Sequence, residues 1–271
     1  MAPVGVARVD ADPLAALDSL VPVGLAELNE AAALMTRTDR KYVVPAADLD
    51  PLLAGCAATV LTIAGRRAME YESTYFDTPE RVSYRGAARG LRRRFKVRTR
   101  TYLDSGERWL EVKTRGTREL TVKRRIPYLV ENQQTLTSEA RSFIRAELVS
   151  GGVHGVDVDR LQESLTTYYL RSTLLLATER ARVTVDKGLR WRSRHGGASA
   201  GPVVVIETKT GGGAPSSMDR TLWSAGYRPV RLSKYATGMR ILDQHLPGNR
   251  WHRVLTRELS GSDAAGALTC R

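Results

Sequence analysis

Basic side chains alternate with apolar ones along several strand-like segments of this chain. Lys96, Arg98 and Arg100 occupy alternate positions, and Phe95 and Val97 stand between them. Successive side chains of a β-strand point to opposite faces, so the three cations share one face and the apolar residues share the other. The pattern therefore predicts a sheet with one cationic face and one apolar face.

Five strand-like segments show the same alternation of charged and apolar positions. A charged face that points to water is the ordinary explanation for one such strand. It is a weaker explanation for five, because the opposite apolar face also needs a cover. A sheet closed into a barrel, with charges inside and flanking helices outside, is the alternative. The residues that share a face in the other four segments are Glu111 with Lys113 and Arg115, Lys123 with Arg125, Arg182 with Asp186, and Glu207 with Lys209.

Periodicity and turn residues predict an α+β fold, a closed antiparallel β-barrel of about eight strands with flanking helices. Asp48 is expected to cap the helix over 48–58. We expect strands over 37–44, 71–76, 92–102, 108–113, 121–130, 166–178, 182–185 and 203–209, and helices over 48–58, 137–149, 217–225 and 234–245.

The positive charge is concentrated in one part of the chain. The 271 residues carry a formal net charge of +13, and residues 81–125 hold 16 basic and four acidic side chains. Such a concentration indicates a polyanionic partner, namely a phosphate chain, a nucleic acid or anionic lipid. A barrel interior lined by Arg and Lys would repel itself when empty. Its few acids, Glu207 and Glu111, are therefore candidate ligands of a divalent metal such as Mg²⁺ or Mn²⁺.

Other features exclude several protein classes. The longest uncharged run, 51–65, is shorter than the about 20 residues needed to span a bilayer. We see no secretory signal at the amino terminus, and Cys56 and Cys270 form no metal or disulfide framework. The four histidines are scattered, so no nucleophile–base pair is evident. We expect a cytoplasmic protein without a membrane segment of its own.

Nine short motifs occur in the order found in one known family. With them the chain resembles the catalytic domain of the vacuolar transporter chaperone (VTC) polyphosphate polymerases, within the triphosphate tunnel metalloenzyme superfamily. The first strand lacks the Glu-x-Glu-x-Lys motif of the related triphosphatase branch. The motifs are RTDRKY at 37–42, STYFDT at 73–78, RTRTY at 98–102, EVK at 111–113, KRR at 123–125, YLR at 169–171, ARV at 181–183, IETK at 206–209 and LSKY at 232–235.

The resemblance implies domain boundaries and a site. It implies an amino-terminal lead-in over 1–30, a triphosphate tunnel domain over 31–247 and a carboxy-terminal tail over 248–271. The implied catalytic residues are Lys41, Arg98, Arg100, Lys113, Arg182 and Lys234. The implied phosphate-binding residues are Arg37, Lys96, Lys123, Arg125, Tyr169, Arg171, Lys209, Arg231 and Ser233, and the implied metal ligands are Glu207 and Glu111. Arg124 has the opposite parity and is left out of the site.

The resemblance also implies a reaction. The family transfers the γ-phosphoryl group of ATP to a growing inorganic polyphosphate chain, with Mn²⁺ or Mg²⁺ as cofactor. The expected enzyme is therefore a metal-dependent ATP-polyphosphate phosphotransferase whose substrates are ATP and polyphosphate or triphosphate. Any membrane partner would be a separate chain. Three alternatives stay open at this point: an inorganic triphosphatase, a polyphosphate-binding module without catalysis, and a nucleic-acid-binding protein. Duplex DNA would not fit into a narrow tunnel.

Three neighbouring residues, one acidic and two aromatic, receive structural interpretations. Asp77 is expected to stabilise a turn before Pro79 rather than to bind metal. Tyr75 and Phe76 are expected to pack in the wall of the sheet.

Overall fold

The computed structural model describes residues 15–31, 37–115, 121–129 and 134–261. The predicted lead-in before residue 15, the tail after residue 261 and Cys270 lie outside the described residues.

The elements follow the predicted strand-rich α+β order. The strands are β1 (Val21–Val23), β2 (Arg37–Pro45), β3 (Thr59–Leu61), β4 (Met69–Asp77), β5 (Arg94–Tyr102), β6 (Arg108–Arg115), β7 (Thr121–Pro127), β8 (Gln162–Leu176), β9 (Ala181–Ser193), β10 (Gly196–Ser199) and β11 (Val203–Gly211). The α-helices are α1 (Ala15–Asp18), α2 (Leu25–Ala31), α3 (Leu49–Ala54), α4 (Val82–Arg89), α5 (Ser138–Ser150), α6 (Ser217–Ser224) and α7 (Lys234–Leu242). Short 3₁₀ turns lie at Ala46–Asp48, Val158–Arg160, Ala177–Glu179 and Asn249–Trp251, and a π-helical turn lies at Val254–Glu258.

The chain divides into two compact units whose segments interleave in sequence. The first unit comprises the described residues up to Met69 together with Tyr169–Leu189 and Pro202–Val230. The second comprises Glu70–Tyr168, Arg190–Gly201 and the described residues from Arg231 onward.

In the first unit, neighbouring strands pair in the order β2, β11, β9 and β8. β11 is antiparallel to both β2 and β9, β3 is antiparallel to β8, and β1 is parallel to β3. Removing apolar side chains from water is the main favourable contribution to such a fold. The core that forms here lies on one face of the sheet and contains Tyr42, Val44, Leu49, Val60, Leu174, Val183, Val204, Ile206, Met218 and Leu222 among its members.

A buried carboxylate joins this sheet to α6. Asp219 accepts hydrogen bonds from the Tyr42 hydroxyl (2.6 Å) and the Thr208 hydroxyl (2.7 Å), and it forms a capping box with Ser216. Burial and the hydrogen bond to Asp219 raise the pKa of Tyr42. Tyr42 and Thr208 point toward the core. The residues that precede them on β2 and β11, Lys41 and Glu207, therefore point to the opposite face.

In the second unit, the strands pair in the order β8, β4, β5, β6 and β7, and β10 pairs with β9. β5 is antiparallel to both β4 and β6, and β6 is antiparallel to β7. The core includes Phe95, Val97, Leu110 and Val112 from the sheet. Helix α5 covers it with Ala140, Ile144 and Leu148, which repeat at the helical spacing of four, and Thr137 caps this helix by accepting from the Ala140 amide.

Two fold predictions are corrected by the structure. The hydrogen-bonded order of strands starts at β2 and ends at β7, and among the described residues these two do not pair. The predicted closed barrel is therefore wrong. The prediction rested on alternation, which determines the face that a side chain occupies but not whether the two outer strands pair. Asp48 makes no capping hydrogen bond, and it accepts a hydrogen bond from Tyr227 instead.

Helix α4 was missed by the sequence prediction, and Asp77 explains how it forms. Its N-cap residue, Arg81, has a left-handed backbone (φ 59°) and makes no side-chain cap. The buried Asp77 carboxylate supplies the acceptors instead, taking hydrogen bonds from the Thr78, Ser83 and Tyr84 amides, each at 2.9 Å. Asp77 therefore binds an amide of the predicted turn before Pro79, at Thr78, and it also supplies the cap of the helix that follows.

Candidate functional site

The cations of β5, β6 and β7 lie on one face of the second unit's sheet. Phe95 and Val97 point into the core, so Lys96, Arg98 and Arg100 point away from it. We call this surface the cationic face. It comprises Arg94, Lys96, Arg98 and Arg100 from β5, Lys113 and Arg115 from β6, and Lys123 and Arg125 from β7.

Strand register places these cations in rows. Lys113 lies directly opposite Lys96 on one side and Lys123 on the other. The next row consists of Arg98, Glu111 and Arg125. Like charges directly opposite each other in a sheet are destabilising. Glu111 is the single acid among the described residues that alternate to this face on the three strands, against eight cations.

Glu111 binds the cations next to it. Its Oε2 accepts from Arg98 Nε (2.7 Å) and Nη2 (2.5 Å), and its Oε1 accepts from Lys123 Nζ (2.6 Å). Burial raises the pKa of Glu111, but Arg98, Arg100 and Lys123 outweigh burial and hold it well below its usual range. Burial also lowers the pKa of Lys123 to about 8, against the opposing effect of Glu111.

The start of helix α7 fixes two cations of β5. Lys96 Nζ donates to Ser233 Oγ (2.7 Å), and Ser233 also caps the helix by accepting from the Ala236 amide. Arg98 Nη1 donates to the Tyr75 hydroxyl (3.2 Å), and the Tyr75 ring stacks on Tyr235 with centroids 5.0 Å apart. Ser233 and Tyr235 of the LSKY motif therefore orient two cations of the cationic face.

A second set of charges lies on the non-core face of the first unit, centred on Glu207. Lys41 is directly opposite Glu207 in the β2–β11 pair, with Nζ 2.9 Å from Oε1, and Lys209 Nζ lies 3.1 Å from Oε2. Burial raises the pKa of Glu207, but Lys209, Lys41 and Arg171 bring it well below its usual range, so the carboxylate is ionised. Burial lowers the pKa of Lys209 to about 8.

Arg171 belongs to the same set through Asp186. Its guanidinium makes a two-pronged pair with the fully buried Asp186, at 2.5 Å and 2.8 Å. It also lies over the Tyr169 ring, 5.2 Å from the centroid. We call Lys41, Glu207, Lys209, Arg171 and Asp186 the Glu207 cluster. This cluster contains three cations and two carboxylates.

Several predicted site residues have other surroundings. Arg182 is directly opposite Lys209 in the β9–β11 pair, and it donates to the Leu28 carbonyl (3.3 Å) and to Asn29 Oδ1 (3.2 Å), both on α2 of the first unit. Arg231 is exposed, and the carbonyl of Lys234 accepts from Trp191 Nε1. The side chain of Arg37 lies outside the described residues. The catalytic and phosphate-binding roles of all these residues stay predictions.

Sequence reasoning missed the partners that hold the arginines in place. The sequence predicts wall packing for Tyr75, and this residue is buried as expected, but its hydroxyl also accepts a hydrogen bond from Arg98. The sequence places Asp186 on the charged face of its strand but does not identify it as the partner of Arg171. Both contacts join neighbouring strands, so only the register between strands could have revealed them. Tyr75 is directly opposite Arg98 in the β4–β5 pair.

The described residues contain no group of three or more His, Cys, Asp or Glu side chains that could hold a metal ion by themselves. They also contain no helix that is long and apolar enough to cross a membrane.

The model of the VTC domain family matches residues 36–243. The chain belongs to the VTC domain family. The motifs that carried the resemblance all lie inside the matched residues, so the predicted family is confirmed.

Solved structures and curated proteins give less information about this VTC domain. A putative adenylyl cyclase from Hippeastrum, described as having a dominant triphosphatase activity, is 15% identical with a TM-score of 0.47, covering 76% of this chain and 96% of that one. A putative adenylate cyclase from Bacillus halodurans is 12% identical with a TM-score of 0.44, covering 73% and 96%. A conserved hypothetical protein from Pyrococcus furiosus is 12% identical with a TM-score of 0.41, covering 74% and 99%. No curated protein matches the chain in sequence.

Proposed function

We propose that this VTC domain transfers the γ-phosphoryl group of ATP to the end of an inorganic polyphosphate chain. The observation that carries the proposal is the row of Lys96, Lys113 and Lys123, which stand side by side on three neighbouring strands. Neighbouring strands are about 4.8 Å apart, so the three side chains start close together, and like charges directly opposite each other in a sheet are destabilising. A row of this kind is strongly stabilised by a chain that carries a negative charge on every unit.

The residues present suit phosphoryl transfer without a protein nucleophile. Such a transfer depends mainly on holding donor and acceptor phosphates in line and on neutralising charge at the equatorial oxygens. The lysine row and Arg98 would bind phosphate oxygens on the second unit. Lys41, Lys209 and Arg171 would do so on the first unit. Arginine binds phosphate through two parallel hydrogen bonds, whereas lysine acts as a compact charge.

A divalent metal ion is part of the proposal, and Glu207 is the residue that fits it. Mg²⁺ and Mn²⁺ in phosphoryl-transfer sites are commonly held by one or two carboxylates together with substrate phosphates, so one ionised carboxylate is sufficient. Both Glu207 oxygens now bind ammonium groups, at 2.9 Å and 3.1 Å. A metal would therefore bind where phosphate oxygens take over one of these lysines, and when bound it would offset negative charge on the transferred group.

Glu111 as a second metal ligand stays a prediction. Its two oxygens accept three charge-assisted hydrogen bonds from Arg98 and Lys123, and only 3% of the side chain is exposed. These contacts already account for an acid on a cationic face.

The test is chain growth from ATP and a short polyphosphate primer with Mn²⁺ or Mg²⁺, with products separated by length. We expect elongation by wild type and its loss in Glu207→Gln and Lys113→Ala. Arg124→Ala is the matched control, because it removes one exposed cation from the opposite parity of β7. Equal losses in Lys113→Ala and Arg124→Ala would show that only net charge matters.

Other products of the same assay separate the alternatives. Release of orthophosphate from tripolyphosphate without elongation would identify a triphosphatase. Salt-dependent polyphosphate binding without turnover would identify a binding module. Displacement of polyphosphate by DNA at equal phosphate concentration would identify a nucleic-acid-binding protein.

A further inference from the structure

The cationic face ends in aromatic side chains at the β5–β6 turn. Trp109 lies directly opposite Arg100 on β5 and Pro127 on β7, and it is only partly buried. The guanidinium of Arg125 lies over its ring, 4.2 Å from the centroid. We call Trp109 and Arg125 the indole pair.

Further aromatic rings lie next to the indole pair on β4 and β5. Tyr71 and Tyr102 are directly opposite each other, with their rings in an edge contact at 5.0 Å. Arg100 lies over the Tyr71 ring at 5.4 Å. This end of the face therefore holds aromatic rings with guanidinium groups beside them, whereas the lysine row lies two rows further along the strands.

The indole does not belong to the core of the second unit. The residues on either side of it in sequence, Arg108 and Leu110, point to the other face, and Leu110 is fully buried in the core. Arg125 is exposed, so it can move without disturbing packed side chains. A large, partly buried aromatic side chain beside an exposed cation is a typical stacking surface for planar ligands.

The spacing along the strands matches a nucleotide. Trp109 and Lys113 are four residues apart on β6, and a strand advances about 3.3 Å per residue, so their rows are about 13 Å apart. The row of Arg98, Glu111 and Arg125 lies between them. In order along the face, a ligand meets an aromatic surface, then guanidinium groups, then ammonium groups.

We propose that the indole pair is a nucleobase subsite, which binds the base of the nucleoside triphosphate while its phosphates extend toward the lysine row. The proposal rests on the function proposed above and assigns the end of the face at which the nucleotide's base binds. The base would stack on the Trp109 ring, displacing or sandwiching the Arg125 guanidinium. Inorganic polyphosphate has no planar group and gains nothing from the indole, so this subsite distinguishes the phosphoryl donor from the product.

The test compares nucleotide and inorganic ligand on the same variants. Affinities of ATP and tripolyphosphate are measured by titration calorimetry on wild type, Trp109→Ala and Trp109→Phe. Stacking of a base on an aromatic side chain contributes about 1–3 kcal/mol, so Trp109→Ala should weaken ATP binding by about 5- to 150-fold. The affinity of Trp109→Ala for tripolyphosphate should change less than about twofold, and Trp109→Phe should keep most of the wild-type affinity for ATP.

A matched pair of arginine variants checks whether charge explains the effect. Arg125→Ala and Arg124→Ala remove neighbouring exposed cations from opposite parities of β7. We expect Arg125→Ala to weaken ATP more than Arg124→Ala does. Circular dichroism and the thermal midpoint of each variant show whether it is folded, and Trp109→Phe tests the subsite if Trp109→Ala does not fold.

The outcomes distinguish this proposal from the proposed function. If Trp109→Ala weakens ATP and tripolyphosphate equally, or neither of them, the subsite is wrong while phosphate binding stands. If wild type binds neither tripolyphosphate nor polyphosphate, the proposed function itself is wrong. If ATP binds and its affinity depends on Trp109 while tripolyphosphate does not bind, the subsite stands without the polymerase.

Discussion

Replacing Glu111 by Gln tests whether the cationic face is built for an anion. The substitution keeps the shape of the side chain and removes the negative charge that Arg98 and Lys123 bind at 2.5–2.7 Å. Breaking a fully buried ion pair costs about 3–5 kcal/mol. The side chains of Arg98 and Lys123 are 20% and 40% exposed, so water compensates in part and we expect a loss of about 2–3 kcal/mol.

A bound polyanion should reverse part of this loss. Without Glu111 the face carries one more net positive charge, so tripolyphosphate should bind the variant more tightly than it binds wild type. A ligand at 100 times its Kd stabilises the folded state by about 2.7 kcal/mol. The stabilisation of Glu111→Gln by tripolyphosphate should therefore exceed that of wild type at equal ligand concentration.

Urea unfolding with and without tripolyphosphate, followed by circular dichroism, measures both quantities. Glu107→Gln, an exposed acid in the adjacent β5–β6 turn, is the matched control and should have little effect. The folded pKa of Glu111 is depressed, so its contribution is present above the unfolded pKa of about 4.3 and is lost as the pH falls toward the folded value. Wild type and variant should therefore converge in acid. A variant as stable as wild type at pH 7, or one that binds tripolyphosphate more weakly, would refute the reasoning.

Lys123 and Lys209 have pKa values of about 8 because burial disfavours their charged forms. Tripolyphosphate binding should therefore take up protons near pH 8 and weaken above it, as calorimetry in buffers of different ionisation enthalpy can measure. In the ligand-free protein the unfolded state binds more protons than the folded state between pH 8 and about 10.4. The free energy of unfolding, measured in urea, should therefore rise with pH over this range. Gly238→Ala would place a Cβ 2.1 Å from the Trp191 ring and should cost about 1–3 kcal/mol in thermal unfolding; Gly24→Ala, where the new Cβ meets nothing within 4 Å, is its control.

The sequence predicted the faces of the strands correctly, because alternation is a local property. Phe95 and Val97 are buried in the core, and Lys96, Arg98 and Arg100 point away from it. The same local reasoning placed most strands and the helices α5, α6 and α7. These elements are specified by periodicity and by caps at Thr137, Ser216 and Ser233, which can be recognised in the sequence.

The remaining features depend on residues that are distant in sequence. Helix α4 has no cap of its own, and Asp77 supplies its acceptors from the end of β4. The barrel was predicted because an inward-facing charge pattern suits a closed sheet, but closure depends on whether β2 and β7 pair, which alternation does not determine. Glu207 and Glu111 were predicted as metal ligands because acids are rare on a basic face. Their lysine and arginine partners lie mostly on other strands, so the ion pairs required knowledge of register.

The two charged sets differ in the ratio of cations to carboxylates, and this determines what a phosphate chain gains from each. In the Glu207 cluster, phosphate oxygens must compete with carboxylates at 2.5–3.1 Å for the same lysines and arginine. Among the described residues of β5, β6 and β7, the cationic face has eight cations and one acid, so a polyanion there meets a larger net positive charge. Affinity for polyphosphate should therefore come mainly from the cationic face and fall steeply with salt. At Glu207, phosphate oxygens would replace the carboxylate as the partner of a lysine, and this exchange would contribute less affinity. It would also free the Glu207 carboxylate to bind the proposed metal ion.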